Sequence, residues 1–222
     1  MKVTEDEALQ YLDRYAVRLE ATVQLYDYGG DTSRPIEGAN SVTYTDIARL
    51  VIINSNLKAR DVVSLMKPIA ASLWADVPLD ADFRELSEDP TGLPLYEALT
   101  ALYRVFRVPG IKNAKATKLL HLKRPGLVPI IDSVATNAYA VTAQNMAAKF
   151  VRKEPMYWAA VWRDARSNAE ALEGIRADLA RRGRPQALVA RLPLLRLHDI
   201  LVWSRFSGRP EPRDRASRPL TT

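Results

Sequence analysis

Apolar residues return every three or four positions through most of this chain, and no stretch keeps the two-residue alternation of a half-buried strand. That period restricts the fold to packed helices. The first run opens with Thr4-Glu5-Asp6-Glu7, a capping-box pattern, and repeats Leu9, Leu12, Val17, Leu19 and Val23, predicting a helix to about residue 26. Thr45-Asp46 opens a second helix, carrying Ile47, Leu50, Val51 and Ile53 and reaching Asn54. The same reasoning predicts helices over about 59–74, 93–106, 114–122, 133–151, 155–181 and 185–206, the last kinked at Pro193. A polar glycine-bearing loop (27–41) and a Pro/Asp-rich connection (76–94) separate the early ones. Residues 127–131 are the one stretch with extended character, and 208–222 lack any apolar period and read as a disordered tail. The expected fold is all-α.

A chain of 222 residues can bury one substantial core or two small lobes sharing a cleft, here as a single compact domain over 1–207. The 47% hydrophobic content and mean hydropathy of −0.19 are those of a folded protein. With no cysteine, disulfides, thiolate zinc sites and cysteine-held iron–sulfur clusters are excluded, which suits a reducing cytoplasm. His121 and His198 have no accompanying ligand pattern, so neither a metal nor another cofactor is expected. The acidic opening lacks a hydrophobic signal region, and no run is long and apolar enough to span a bilayer.

Charge divides the chain. Residues 1–97 carry 9 Lys/Arg against 17 Asp/Glu, and the remainder carries 23 against 9. Between residues 98 and 131 there is no carboxylate at all, while Arg104, Arg107, Lys112, Lys115, Lys118, Lys123 and Arg124 fall there. Solvated helix faces usually mix signs, so this run points to a polyanion partner, in which case the C-terminal arginines can still be ordinary surface residues.

Within that run, Pro109-Gly110 breaks one helix and Asn113-Ala114 restarts another. Two helices joined by a glycine hairpin expose backbone N–H groups at the start of the second, and these bind phosphate without reading sequence. Gly110, Ile111, Lys112, Asn113, Lys115 and Lys118 are the candidate backbone-binding residues, with the lysines adding salt-dependent attraction. The first carboxylate downstream is Asp132, set between Pro129-Ile130-Ile131 and Ser133-Val134. Asp-Ser before a helical run is an ordinary N-cap, and a carboxylate there is also suited to stabilising positive charge.

Val108-Pro109-Gly110-Ile111, Lys115-Ala116 and Pro129-Ile130-Ile131-Asp132-Ser133-Val134 together resemble the helix-hairpin-helix DNA glycosylases, the endonuclease III-like superfamily, and a bacterial branch of it without the iron–sulfur cluster. The spacing of 22 residues from Gly110 to Asp132 matches that superfamily, and the similarity covers about 103–139. The resemblance implies a two-lobed helical fold with the hairpin motif at about 94–122, DNA as partner, and Asp132 as the catalytic carboxylate. Two positions depart from the pattern. The hairpin's second glycine is Lys112, and the position of the Schiff-base lysine in bifunctional enzymes is Ala114, with Lys115 rotated by about 100° on the helix. The implied activity is therefore monofunctional base excision without lyase chemistry.

Such an enzyme must flip its base and hold it against aromatic or apolar walls. The candidate pocket residues are Tyr26 and Tyr28 beside Gly29-Gly30, which a loop can deliver to a cleft, with Tyr44, Tyr139 and the group Tyr157, Trp158 and Trp162. Asp27 and Asp31 can contact a base edge or cap a turn. The expected function is excision of a damaged or modified base, in repair or in antiviral defence against modified phage DNA. A non-catalytic helix-hairpin-helix DNA-binding module and a helical protein-interaction scaffold are the alternatives.

Overall fold

A computed structural model of the chain describes residues 4–28, 38–53 and 55–207. The expected tail at 208–222, Gly29-Gly30 and Asp31 lie outside them. The elements are α1 (Glu5–Arg18), α2 (Glu20–Thr22) running into a π-helical turn (Val23–Asp27), α3 (Tyr44–Ile52), α4 (Ala59–Leu65), α5 (Ala71–Ala75), a 3₁₀ turn (Phe83–Glu85), α6 (Pro94–Phe106), α7 (Asn113–Lys123), α8 (Ser133–Lys149), α9 (Tyr157–Ser167), α10 (Ala169–Ala180), α11 (Arg184–Ala190) and α12 (Leu194–Phe206). No strand occurs among the described residues, and the protein is all-α.

Three predicted long helices are each two, and the first run, expected to continue to about residue 26, is interrupted at Leu19 between α1 and α2. The 59–74 run stops at Leu65, before Pro68, which cannot continue the hydrogen-bond ladder. The 155–181 run breaks at Asn168, whose amide side chain donates to Asp164 O at 2.6 Å and so ends α9 locally. The 185–206 run breaks at 191–193, with Pro193 standing before the first turn of α12 rather than kinking it. Thr43, not Thr45, starts α3: its hydroxyl takes the Asp46 amide while Asp46 returns a bond to the Thr43 amide.

The chain's first helix packs against its last three, α1 lying on α10, α11 and α12, while α8 packs on α9 and α12. One contiguous core runs from Ala8 to Val202. Residues 194–202 of α12 are all buried, so this part of the helix is enclosed on every side, and its charged members Arg196 and Asp199 require internal partners.

Residues 127–131, expected to be extended, form no strand. Side chains from three helices satisfy their backbone instead: Trp162 Nε1 donates to Leu127 O (2.8 Å), His121 Nδ1 meets Val128 O (2.7 Å), Ile130 N donates to Asp199 Oδ2 (3.2 Å) and Ile131 N to Thr117 Oγ1 (3.0 Å). This clamp fixes the residue that follows it, Asp132.

Candidate functional site

Val108 to Ile111 forms a tight turn closed by Ile111 N to Val108 O (2.9 Å), with Pro109 second and Gly110 third at φ +95°. That is the residue order of a type II turn, whose third position needs a positive φ. Lys112 lies at φ −88° and ψ 178°, an extended conformation any residue adopts, so the missing second glycine imposes no strain. No side chain caps α7, and the Asn113, Ala114 and Lys115 amides have no partner among the described residues. Pro109, Gly110, Lys112 and Asn113 are exposed, whereas Ile111 is buried in the core.

The basic run divides into two groups. Arg104, Arg107 and Lys112 are exposed around the turn. Lys123 is buried against Asp46 at 2.5 Å, and Arg124 is buried with Nε and both Nη atoms bonded to Val77 O, Ala39 O, Lys123 O, Asn40 Oδ1 and Trp74 O. Lys115, expected beside a phosphate, instead pairs with Asp61 Oδ2 at 2.6 Å and donates to Gly110 O at 3.2 Å. The Lys115 hydrogen bond, with the Lys58 amide, holds the Asp61 carboxyl below its ordinary range. Lys118, also expected on the DNA backbone, donates to Ile53 O (2.8 Å) and lines a cavity.

That cavity, about 140 Å³, is where Asp132 lies. Tyr15, Leu19, Thr22, Ile52 and Ile53 wall it from the N-terminal helices, and Lys118, Ile130, Val134, Ala135, Tyr139 and Val161 from α7 to α9. The α12 wall is Arg196, Asp199, Ile200, Val202 and Trp203. Asp132 caps α8, its Oδ1 accepting from Val134 N (2.9 Å) and Ala135 N (3.0 Å). It is half-buried, and Oδ2 has no partner among the described residues. Cap and cavity residue are thus one and the same side chain.

Charge around Asp132 is dense. Arg196 is bonded to Asp27 Oδ1 (2.8 Å) and Tyr15 Oη (3.3 Å), and its guanidinium sits over the Tyr26 ring at 5.2 Å. Burial works against the Arg196 charge, but Asp27 and the tyrosines outweigh it and push the pKa upward. Burial lowers the Lys118 pKa, Asp132 opposing and Arg196 reinforcing the effect. Burial pushes the Asp199 carboxyl up to about 8.

Of the aromatic candidates only Tyr139 lines the cavity, its hydroxyl bonded to Asp164 Oδ2 (2.6 Å) and His198 Nε2 (2.8 Å). Tyr26 is fully buried behind the wall and donates to Lys118 O (3.0 Å). Tyr28 turns away to Leu188 O (2.8 Å). Trp158 belongs to a separate cluster behind the hairpin, with Tyr103 at 5.0 Å and Trp162 at 6.0 Å. The cavity's aromatic walls are instead Tyr15 and Trp203, packed edge to face at 6.3 Å. The signal for the α12 wall was present in the sequence: Arg196, Asp199, Ile200 and Trp203 recur at helical spacing, two of them charged within a run that is apolar apart from these and His198.

Among the described residues no group of three His, Asp or Glu could hold a metal ion, and no helix is long and apolar enough to cross a membrane. The chain belongs to a family of unknown function (DUF6308), whose pattern matches residues 8–206. No curated protein and no solved structure matches it.

Proposed function

We propose that this protein is a DNA glycosylase of the helix-hairpin-helix type, excising a damaged or modified base without lyase activity. The observation that carries the reading is Asp132. It follows an exposed glycine turn by 22 residues, caps α8 with one oxygen and leaves the other unpaired in a cavity walled by aromatic and charged side chains. Backbone grip rests on the free amides of Asn113, Ala114 and Lys115 at the start of α7, with Lys112 beside them. A flipped base enters the cavity between Tyr15 and Trp203. As the bond from sugar to base breaks, positive charge develops on the sugar, and the Asp132 carboxylate stabilises it and orients the attacking water. Ala114 offers no amine at the Schiff-base position, and the Lys115 ammonium is tied to Asp61.

The test is to incubate the protein with duplexes bearing single modified bases and with phage genomic DNAs, then count abasic sites. New abasic sites in at least one substrate, without strand cleavage, are the expected result. DNA binding that weakens with Lys112→Glu and with salt, but yields no abasic site in any substrate, selects a non-catalytic DNA-binding module instead. Absence of binding at low salt removes DNA as the partner altogether.

A further inference from the structure

Two aspartates from different elements reach the same cavity, each with one oxygen held by backbone and one left over. Asp132 gives Oδ1 to the Val134 and Ala135 amides, and Asp199 gives Oδ2 to the Ile130 amide. Neither Asp132 Oδ2 nor Asp199 Oδ1 has a partner among the described residues, and both side chains line the cavity. Their surroundings differ: Asp132 is half-buried at a helix start, and Asp199 is only 8% exposed, within the buried stretch 194–202 of α12. Two carboxyl groups in unequal environments can divide acid from base.

We propose that Asp199 is the general acid of this site, protonating the departing base from Oδ1, and that the substrate is a base that is neutral in DNA rather than one already cationic. The inference rests on the glycosylase reading. In the step, the bond between C1′ and the base nitrogen breaks with its electron pair going to the base, and the Asp199 proton neutralises the base. Water adds its oxygen to C1′ and yields a proton to Asp132. One water is consumed, the free base and an abasic site are formed, and proton exchange with solvent restores both carboxyls. A cationic base departs without this help, and the Arg196 guanidinium on the same wall disfavours it.

Burial pushes the Asp199 carboxyl up to about 8, so it holds its proton at neutral pH. Arg196 on its own helix and the Ile130 amide oppose that rise, and Asp132 of α8 and Asp27 of the π turn add to it. Tyr15 of α1, Tyr26 and Tyr139 face it as neutral phenols, each with its pKa raised by burial, and Lys118 of α7 lies across the cavity. Asp164 of α9 lies beside the neighbouring His198.

The experiment is single-turnover base release by the full chain from pH 5.5 to 9.5. The substrates are duplexes carrying uracil or hypoxanthine, which are neutral, and 7-methylguanine, which is cationic. Wild type is expected to release a neutral base, its rate falling tenfold per pH unit above about 8. Asp199→Asn keeps an acceptor for the Ile130 amide; it is expected to be slower at pH 7 by roughly 10²-fold or more and to lack that limb. If the variant fails to fold, the wild-type profile alone decides, since a rate that does not fall up to pH 9.5 overturns the assignment. Release of 7-methylguanine alone, or equal rates for wild type and Asp199→Asn while Asp132→Asn is inactive, also overturns it and leaves the glycosylase reading standing. No release by wild type from these duplexes, nor from the modified-base duplexes and phage genomic DNAs, removes that reading and this one with it.

Discussion

Arg124 uses its entire guanidinium inside the protein. Its five N–H donors meet five acceptors on residues 39, 40, 74, 77 and 123, and its central carbon lies 5.3 Å from the centroid of the Trp74 ring. A lysine carries three donors on a point charge and cannot reproduce that fork. Arg124→Lys is therefore expected to destabilise the fold by about 3 kcal/mol or more, read from urea melts, because buried acceptors lose their donors. Asp199 gives a pH-dependent counterpart. Folded, it keeps its proton up to about 8; unfolded, it loses it near 3.8. Its contribution to stability is thus complete below about pH 4 and is lost progressively as the pH rises to about 8. The stability difference between wild type and Asp199→Asn should shift against wild type across that window, whereas parallel curves contradict a buried neutral acid. His121 and His198 act with the opposite sign. Burial lowers them to about 3 and about 4, so both are neutral when folded and stability falls as the pH drops below 6.5.

At the scale of elements, α7 connects the hairpin to the cavity. Its first turn carries the free amides, Thr117 in its middle holds the Ile131 amide, and Lys118 faces Asp132. Thr117→Val leaves a buried N–H unpaired, a cost of about 1–3 kcal/mol, and loosens the clamp that aims Asp132; base release should fall more than DNA affinity does. Gly110→Ala acts at the other end. A Cβ there clashes with Asp61 Oδ1 and the alanine must adopt φ +95°, so the hairpin is expected to lose about 1–3 kcal/mol and DNA affinity to drop in a gel-shift titration. The element that sequence patterning described best is this one, because Pro109-Gly110 and Asn113 act locally and their signals need no tertiary context. Helix breaks at Asn168 and before Pro68 were harder to read, since apolar periodicity continued across both. The extended segment at 127–131 was recognisable as non-helical, but its partners come from α7, α9 and α12, up to 69 residues away in sequence, and no local pattern encodes them.

At the scale of the whole molecule, a run of cations is not a charged face. Seven cations without a carboxylate read as a polyanion surface, yet Lys123 and Arg124 are interior and Lys115 is paired with Asp61. Asp46 and Asp61 come from the acidic N-terminal part of the chain, so the charge asymmetry seen along the sequence is partly cancelled by folding. With Arg104, Arg107 and Lys112 left around the turn, the slope of log affinity against log salt should be about −3, and a slope near −6 means that further cations reach the phosphates. The cavity was only half legible for the same reason: Asp132 is marked by its spacing from the hairpin, while Tyr15 and Trp203 meet across 188 residues of chain. On the proposed reading Asp132 is both helix cap and catalytic carboxylate. The most direct measurement is base release under saturating DNA by wild type and by Asp132→Asn, which keeps an oxygen for the cap. The predicted result is unchanged DNA affinity with release slowed at least about 10²-fold; equal release rates for the two proteins contradict it.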